Sequence, residues 1–237
     1  MFPYRDKNPS GTFPFVTVAI IVVNTIVFIY ELSLGRNLEE FIYLYGVIPA
    51  KVMHFFSVPG GNAKSVFMPF ITSMFLHAGF MHLIGNMWYL WIFGDNIEDR
   101  LGHFKFLAFY LVCGVGASII FLFFGSKSLV PCVGASGAIA GVLGAYMITF
   151  PKARVMTFLI LGFFWTRVEL PAIVVLGFWF VIQFFSGTAA VASRDVAGGG
   201  VAWWAHIGGF IIGIALMYLF PKRKPINQWR RSGIRGD

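Results

Sequence analysis

Four polar side chains stand out because they lie within long apolar stretches of the chain: Ser136, His206, His82 and Asn86. Polar groups are costly in apolar surroundings, so the few that occur there are informative. A serine hydroxyl becomes an effective nucleophile when a base takes its proton, and a histidine within hydrogen-bonding distance is the usual base. Ser136 and His206 therefore predict a nucleophile and a general base for acyl transfer, provided that the fold brings them together.

Acyl transfer also needs donors that stabilise the negative oxygen of the tetrahedral intermediate. Removing one such donor typically costs about 2.7 to 4 kcal/mol of transition-state stabilisation. His82 and Asn86 are four residues apart, so they share one face of a helix. The backbone N–H of Ser136 lies near the start of its predicted helix, where the helix dipole favours negative charge. These three groups form the predicted oxyanion hole.

A carboxylate that orients the histidine, the third member of a soluble catalytic triad, has no candidate in this sequence. All ten acidic residues lie at the ends of predicted helices or in loops. The sequence therefore predicts chemistry on a Ser-His dyad. Gln183 lies in another apolar stretch, either as a hydrogen-bond partner or as part of the wall of a water-accessible cavity, and the sequence leaves both roles open.

The elements that must position these residues are predicted to be membrane-spanning helices. The 237 residues are 58% hydrophobic and only 12% charged, which is about half the charged fraction of a soluble domain. Only 18 basic and 10 acidic side chains are available to cover a water-facing surface, which excludes a soluble globular protein. Six charge-free runs reach the length of about 20 residues that spans a bilayer. These runs are 8–30, 65–94, 106–126, 128–151, 170–193 and 196–221.

We therefore predict an all-α membrane protein, a six-transmembrane-helix bundle with a long, partly interfacial segment between the first two helices. The predicted division of the chain is a short cytoplasmic N-terminal tail (1–12), a membrane domain (13–220) and a basic cytoplasmic tail (221–237). Two shorter charge-free runs, 52–63 and 155–166, are predicted to be interfacial or re-entrant.

The net charge of +8 has a distribution typical of membrane orientation and not of nucleic-acid binding. If both termini are cytoplasmic, 13 of the 18 basic residues lie inside, six of them in the tail after the last span. The five that remain outside are Arg36, Lys51, Lys64, Lys127 and Arg194. We expect cytoplasmic termini and no nucleic-acid partner. The short N-terminal segment favours the plasma membrane of a prokaryote.

This orientation brings the predicted catalytic groups to the outer membrane face, because the second, fourth and sixth spans all run from outside to inside. His82 is predicted in the first turn of its span, and Ser136 and His206 one or two turns in, about 10 Å deep. The helices that carry Ser136 and His206 must approach closely, which requires small residues. Both have them along one face: Gly137, Gly141 and Gly144 on the fourth span, and Ala205, Gly209 and Gly213 on the sixth.

Together these motifs resemble the rhomboid family of intramembrane serine proteases. The resemblance covers about 13–220 and rests on three motifs in order: HxxxN with His82 and Asn86, GASG around Ser136, and AHxxGxxxG from Ala205 to Gly213. It implies that Ser136 is the nucleophile, that His206 is the general base, and that His82 and Asn86 help to form the oxyanion hole. Three further residues are implied to support the site: His77, Gly134 and Gly137.

The resemblance also implies a substrate class: membrane-spanning proteins, cleaved in or near their transmembrane segments, usually beside a small residue. Membrane lipid is the other expected partner, no cofactor is implied, and the sequence predicts no oligomeric state. One position departs from the family pattern. Some members stack an aromatic residue, four positions after the nucleophile, on the catalytic histidine, whereas this chain has Ala140. Trp203 or Trp204 could contribute instead, although both fit an interfacial aromatic belt better.

The substrate gate has candidates on the fifth span by family analogy. They are Phe178, Trp179, Phe180, Phe184 and Phe185. Phenylalanine is ordinary on a lipid-facing helix, so a plain packing role is the stronger interpretation of these residues.

Two other functional classes are open. His77, His82 and His206 match the ligand count of a catalytic zinc site, but the chain has no HExxH motif that would supply a glutamate base. A transporter or channel would show polar residues through the whole depth of the bilayer, whereas the inner halves of these spans are almost purely apolar. We therefore predict hydrolysis without a metal.

Overall fold

The computed structural model describes residues 1–161, 164–192 and 202–220. In these residues the chain forms ten α-helices: α1 (Phe15–Ser33), α2 (Leu38–Tyr45), α3 (Pro49–Ser57), α4 (Ala63–Phe67), α5 (Pro69–Thr72), α6 (Phe80–Leu101), α7 (His103–Phe124), α8 (Ser136–Thr149), α9 (Ala172–Ala192) and α10 (Ala202–Leu219). It also forms two 3-10 turns, Gly35–Asn37 and Ser73–Phe75, and three strands: β1 (Phe2–Asp6), β2 (Arg154–Leu161) and β3 (Phe164–Pro171). The predicted basic tail, 221–237, lies outside the described residues.

Each of the six predicted apolar runs overlaps one long helix: α1, α6, α7, α8, α9 or α10. Within the described residues, three helices are long and apolar enough to cross a membrane, namely α1, α7 and Ala172–Ala189 of α9. The segment Ala63–Phe75 and α6 meet the same criterion together but are bent by 77° at their junction, so they could form a fourth span. Helices α8 and α10 are apolar but shorter.

Helix α8 lies at the centre of the bundle and packs against α6, α7, α9 and α10. Its residues 137–146 are all buried. A helix that is apolar on every side is stable only when it is surrounded, either by protein or by lipid. The first residue of α8 is Ser136, so the rigid centre of the fold carries the predicted nucleophile at its N-terminal end.

Glycine allows α8 and α10 to touch through their backbones. A Cβ atom added at Gly209 would lie 2.0 Å from the carbonyl oxygen of Gly137, and one added at Gly213 would lie 2.0 Å from that of Gly141. No side chain fits such gaps. The predicted close approach of these two helices is confirmed.

Helix α1 is attached to α6 and α7 by one buried carboxylate. The N-terminus of α1 has no capping side chain of its own, because Pro14 occupies the cap position. Glu98 of α6 replaces it and accepts the backbone N–H groups of Val16 and Thr17 at 2.9 and 2.7 Å. The same side chain contacts Nδ1 of His103 at 2.5 Å. A carboxylate at a helix N-terminus satisfies unpaired N–H groups and interacts favourably with the helix dipole.

The all-α prediction is wrong at one place, because the chain also forms an antiparallel sheet with the order β1-β2-β3. The described residues of the run 155–166, predicted to be interfacial or re-entrant, belong to the antiparallel pair of β2 and β3, where Val155 pairs with Leu170. Strand β1 lies within the predicted N-terminal tail and pairs Phe2 with Phe158. β-Branched and aromatic residues are frequent in these segments and favour strands. The length and charge of an apolar run alone do not distinguish a strand from a helix.

The segment between α1 and α6 is not a plain loop, because it contains α2 to α5. Buried residues from this segment, among them Val47, Val52 and Phe70, form a small apolar cluster with Leu122 of α7. The backbone of Val47 pairs with that of Cys132 in both directions, at 3.1 and 2.8 Å. This pairing fixes the segment to the loop that enters α8. Its predicted interfacial position stays a prediction.

Candidate active site

Ser136 and His206 lie within hydrogen-bonding distance of each other. The Ser136 Oγ is 2.8 Å from the His206 Nε2. His206 is one turn into α10, as the sequence indicates, but Ser136 is the first residue of α8 and not one or two turns inside it. The loop 125–135 reaches the site in extended and turn conformations, so the helix starts later than the apolar run predicts.

Because Ser136 is the first residue of α8, its backbone N–H has no acceptor within the helix. The first N–H groups of an α-helix have no partner within the helix, and they point away from its N-terminus. Ala135, at the cap position, makes no side-chain hydrogen bond to them. An anionic oxygen beside Ser136 would therefore meet an N–H donor and the positive end of the helix dipole.

His82 and Asn86 lie on α6 and face the same cavity as Ser136 and His206. The cavity has a volume of about 240 Å³. Its lining comes from four helices: Met81, His82, Gly85, Asn86 and Tyr89 of α6, Ser136, Ile139 and Leu143 of α8, Trp179 and Gln183 of α9, and His206 of α10. The fold thus brings together the four residues predicted from the sequence to perform the chemistry.

The three predicted supporting residues surround this cluster. The side chain of His77 is buried, and its Nε2 lies 3.0 Å from Nδ2 of Asn86. The backbone N–H of His77 donates to the buried carboxylate of Glu31, at 3.2 and 3.3 Å from its two oxygens. No pattern in the sequence predicts this contact, because Glu31 lies at the end of a helix 46 residues away.

At each of the two supporting glycines, an added side chain would collide with a neighbouring residue. A Cβ atom at Gly134 would lie 2.6 Å from Nε2 of His82, and the residue has φ +124°, which side chains rarely adopt. A Cβ atom at Gly137 would lie 2.6 Å from that of Ala117. Larger residues at these two positions would displace His82 or move α8 away from α7.

The side chain that contacts the other nitrogen of His206 is Gln183. Its Oε1 lies 2.7 Å from Nδ1 of His206, and the side chain is buried. The sequence left two roles open for Gln183, and both apply: its side chain contacts His206, and it also lines the cavity. Ala140, at the position where the family pattern can have an aromatic residue, is fully buried.

The candidate gate residues of α9 fall into two groups. Trp179 lines the cavity and, with Phe180, contacts the ring of Phe210 on α10, at centroid distances of 5.9 and 4.8 Å. Phe178, Phe184 and Phe185 are exposed on the outer surface of the helix bundle. Exposed phenylalanines are ordinary where a helix faces lipid, so their role as a gate stays a prediction.

The three histidines do not form a metal-binding group. Among the residues that the structure describes, no three His, Cys, Asp or Glu side chains are arranged to hold a metal ion. His77 and His82 contact each other edge to face, with a centroid distance of 5.1 Å. His206 is directed instead at Ser136 and Gln183.

The geometry defines a class of site: a hydroxyl and an imidazole in contact among apolar helices, with N–H and side-chain donors on one side. Comparison with known proteins identifies the family of the chain. A family model described as the Rhomboid domain matches residues 64–223, so the chain belongs to the rhomboid family. Together with the apolar helices, this membership indicates an integral membrane protein.

Several relatives carry rhomboid names. The chain is 34% identical over 152 residues to RHOMBOID-like protein 6, mitochondrial, of Arabidopsis thaliana, covering 63% of this chain and 42% of that protein. It is 32% identical over 189 residues to Presenilin-associated rhomboid-like protein A, mitochondrial, of Danio rerio, covering 74% and 44%. It is 29% identical over 210 residues to Rhomboid protease GluP of Bacillus subtilis, covering 89% and 34%. The chain thus spans less than half the length of each.

Proposed function

We propose that this protein is an intramembrane serine endopeptidase that hydrolyses peptide bonds in or near the transmembrane segments of other membrane proteins. The observation that carries the proposal is the 2.8 Å contact between the Ser136 hydroxyl and Nε2 of His206, in a cavity within apolar helices. Membership of the rhomboid family supports the proposal. So does the similarity to the Bacillus subtilis relative, which is named a rhomboid protease.

In the proposed first step, the Ser136 oxygen attacks the carbonyl carbon of the scissile bond while its proton passes to Nε2 of His206. The protonated imidazole then gives this proton to the leaving amine nitrogen as the carbon–nitrogen bond breaks. This leaves an ester on Ser136 and a neutral imidazole. Water then attacks this ester while His206 takes its proton. The imidazole returns the proton to the Ser136 oxygen as the ester bond breaks, which releases the acid product and the free serine.

The negative oxygen that forms at each step is proposed to bind the Ser136 N–H together with the side chains of His82 and Asn86. The support is their position in one cavity and the N-terminal location of Ser136 in α8. Donors that are already in place act strongly at the transition state because no reorganisation is needed. Asn86 is held by its contact with the buried His77, which would keep its amide group in position.

The membrane arrangement is proposed as six spans, with both termini in the cytoplasm and the active site open to the outer side of a prokaryotic plasma membrane. The support is the overlap of the six longest helices with the six apolar runs, and the excess of basic residues on the proposed inner side. Reporter fusions after residue 33 and after residue 101 test the orientation. The first is expected outside and the second in the cytoplasm.

The activity is tested with full-length protein in detergent and a reporter substrate that contains a transmembrane segment. Ser136→Ala and His206→Ala are each expected to abolish cleavage. Ser118→Ala, which truncates a buried serine of α7 outside the cavity, and His54→Ala, which removes an exposed histidine, are matched controls expected to keep it. Cleavage by Ser136→Ala protein would contradict the proposal.

The same assay separates the proposal from a metal-dependent hydrolase. A serine mechanism needs no metal, so EDTA is expected to leave the rate unchanged. Loss of cleavage with EDTA that zinc restores would contradict the Ser-His mechanism, even if Ser136→Ala were inactive.

A further inference from the structure

A buried amide lies on the side of His206 that faces away from Ser136. The Oε1 of Gln183 is 2.7 Å from Nδ1 of His206, while the Nε2 of the same ring is 2.8 Å from the Ser136 Oγ. The three side chains therefore form a continuous chain of hydrogen bonds from α9 through α10 to α8. Their order, acceptor then imidazole then hydroxyl, is that of a catalytic triad.

The chemistry of these atoms selects one form of the imidazole. A neutral imidazole has one N–H donor and one acceptor nitrogen, and the partner of one nitrogen decides which form is present. An amide oxygen can only accept, so it selects the form with hydrogen on Nδ1. Nε2 is then left with its lone pair directed at the Ser136 hydroxyl. That is the form a general base needs.

Two aromatic rings beside His206 supply contact but no acceptor. The rings of Trp179 and Trp203 lie near His206 at centroid distances of 6.1 and 6.2 Å. Gln183 itself is only 6% exposed, so little water can compete for its oxygen.

We propose that Gln183 is a positioning residue that holds His206 in the orientation and tautomer required of a general base, in the place that a carboxylate occupies in soluble triads. This inference rests on the proposed serine-protease function. It has a further consequence, because Gln183 belongs to α9 while the dyad belongs to α8 and α10. The base is correctly held only while α9 is packed against α10 as observed.

The test uses full-length protein in detergent and two substitutions of nearly equal size. Gln183→Met keeps the length and bulk of the side chain but removes the oxygen acceptor. Gln183→Glu keeps an oxygen acceptor whether or not the carboxyl group is ionised. Thr188→Val, on the same helix, is the control, since its hydroxyl bonds to the carbonyl of Phe185 within α9.

Two quantities are measured: kcat and KM with the transmembrane reporter, and the rate at which a fluorophosphonate probe labels Ser136. Leaving a buried donor without its acceptor costs about 1 to 3 kcal/mol, so Gln183→Met is expected to lower kcat and the labelling rate about 5- to 150-fold. KM is expected to change little. Both rates of Gln183→Glu protein are expected to lie within about fivefold of the wild-type rates. Thr188→Val protein is expected to match the wild type in both rates.

Three results would overturn the inference. The first is a Gln183→Met protein that equals the wild type in both rates. The second is equal impairment of both Gln183 variants although they are folded, as a packing role requires. The third is a loss that falls on KM alone, as a substrate contact requires. Failure of the proposed function gives a different result, because then Ser136→Ala protein still cleaves, or the wild-type protein neither cleaves nor is labelled at Ser136.

Discussion

Replacing Gly209 by alanine is expected to separate the two halves of the proposed dyad. The added Cβ would lie 2.0 Å from the carbonyl oxygen of Gly137, whereas such contacts are essentially never shorter than 3.0 Å. Because the obstructing atom belongs to the backbone, α10 must move from α8 by about 1 Å. Gly209 is one turn from His206, so the contact of 2.8 Å to Ser136 would lengthen to about 3.8 Å, beyond hydrogen-bonding distance.

The expected loss is large for activity and modest for stability. A displacement of about 1 Å can cost about 100-fold in rate, and overpacking of this kind costs about 1 to 3 kcal/mol of stability. The assay is cleavage of the transmembrane reporter, with thermal unfolding of the same samples in detergent. The control is Gly177→Ala on α9, where an added Cβ would meet nothing within 4 Å. Full activity of Gly209→Ala protein would show that the contact between the α8 and α10 backbones does not set the distance between Ser136 and His206.

Three further predictions concern other parts of the chain. Asn86→Ala is expected to lower kcat about 100- to 1,000-fold, as removal of one oxyanion donor does, while fluorophosphonate labelling of Ser136 persists at a reduced rate; an unchanged kcat would exclude Asn86 from the oxyanion hole. Glu98→Gln weakens the acceptor for the N-terminus of α1 and is expected to lower the free energy of unfolding by about 1 to 3 kcal/mol without abolishing activity; equal melting temperatures would contradict the anchoring role. Burial raises the pKa of Asp6 from 3.8 to about 6, while the Tyr146 hydroxyl donates to it at 2.6 Å. The folded state therefore binds this proton more tightly than the unfolded state, so melting temperature is expected to fall as pH rises from about 4 to about 6, and Asp6→Asn, which keeps an oxygen acceptor, should flatten that slope.

The positions of the long helices could be predicted from the sequence because a run of about 20 residues without charge is typical of a membrane span and rare elsewhere. The close approach of α8 and α10 could be predicted as well, since glycines four residues apart, such as Gly209 and Gly213, align on one face. Helix ends were less predictable. The run 65–94 contains a sharp bend before Phe80, and neither charge nor hydropathy registers a bend.

The sheet could not be predicted from the length of the charge-free runs, because that length distinguishes spans from loops and not strands from helices. Strand β1 pairs with a strand about 150 residues further along the chain, and pairing partners so distant leave no local pattern. The alternation of polar and apolar residues in β2 is also weak, because the polar Thr157 is buried as fully as the apolar Val155.

Within the site, residues with a motif were predictable and those without one were not. Ser136, His206, His82 and Asn86 follow from residue type, spacing and the order of spans. Gln183 is recognisable as a polar residue in an apolar helix, but its partner depends on the rotation of α9 about its own axis. That rotation is set by packing against α8 and α10 and not by any pattern within α9.

The most direct test of the proposed dyad is to map the attachment site of a fluorophosphonate probe by mass spectrometry on the intact protein. We expect a single modified residue, Ser136, with labelling lost in His206→Ala and in protein unfolded before the probe is added. Modification at another residue, or equal labelling of the His206→Ala variant, would contradict the claim that the imidazole activates this hydroxyl.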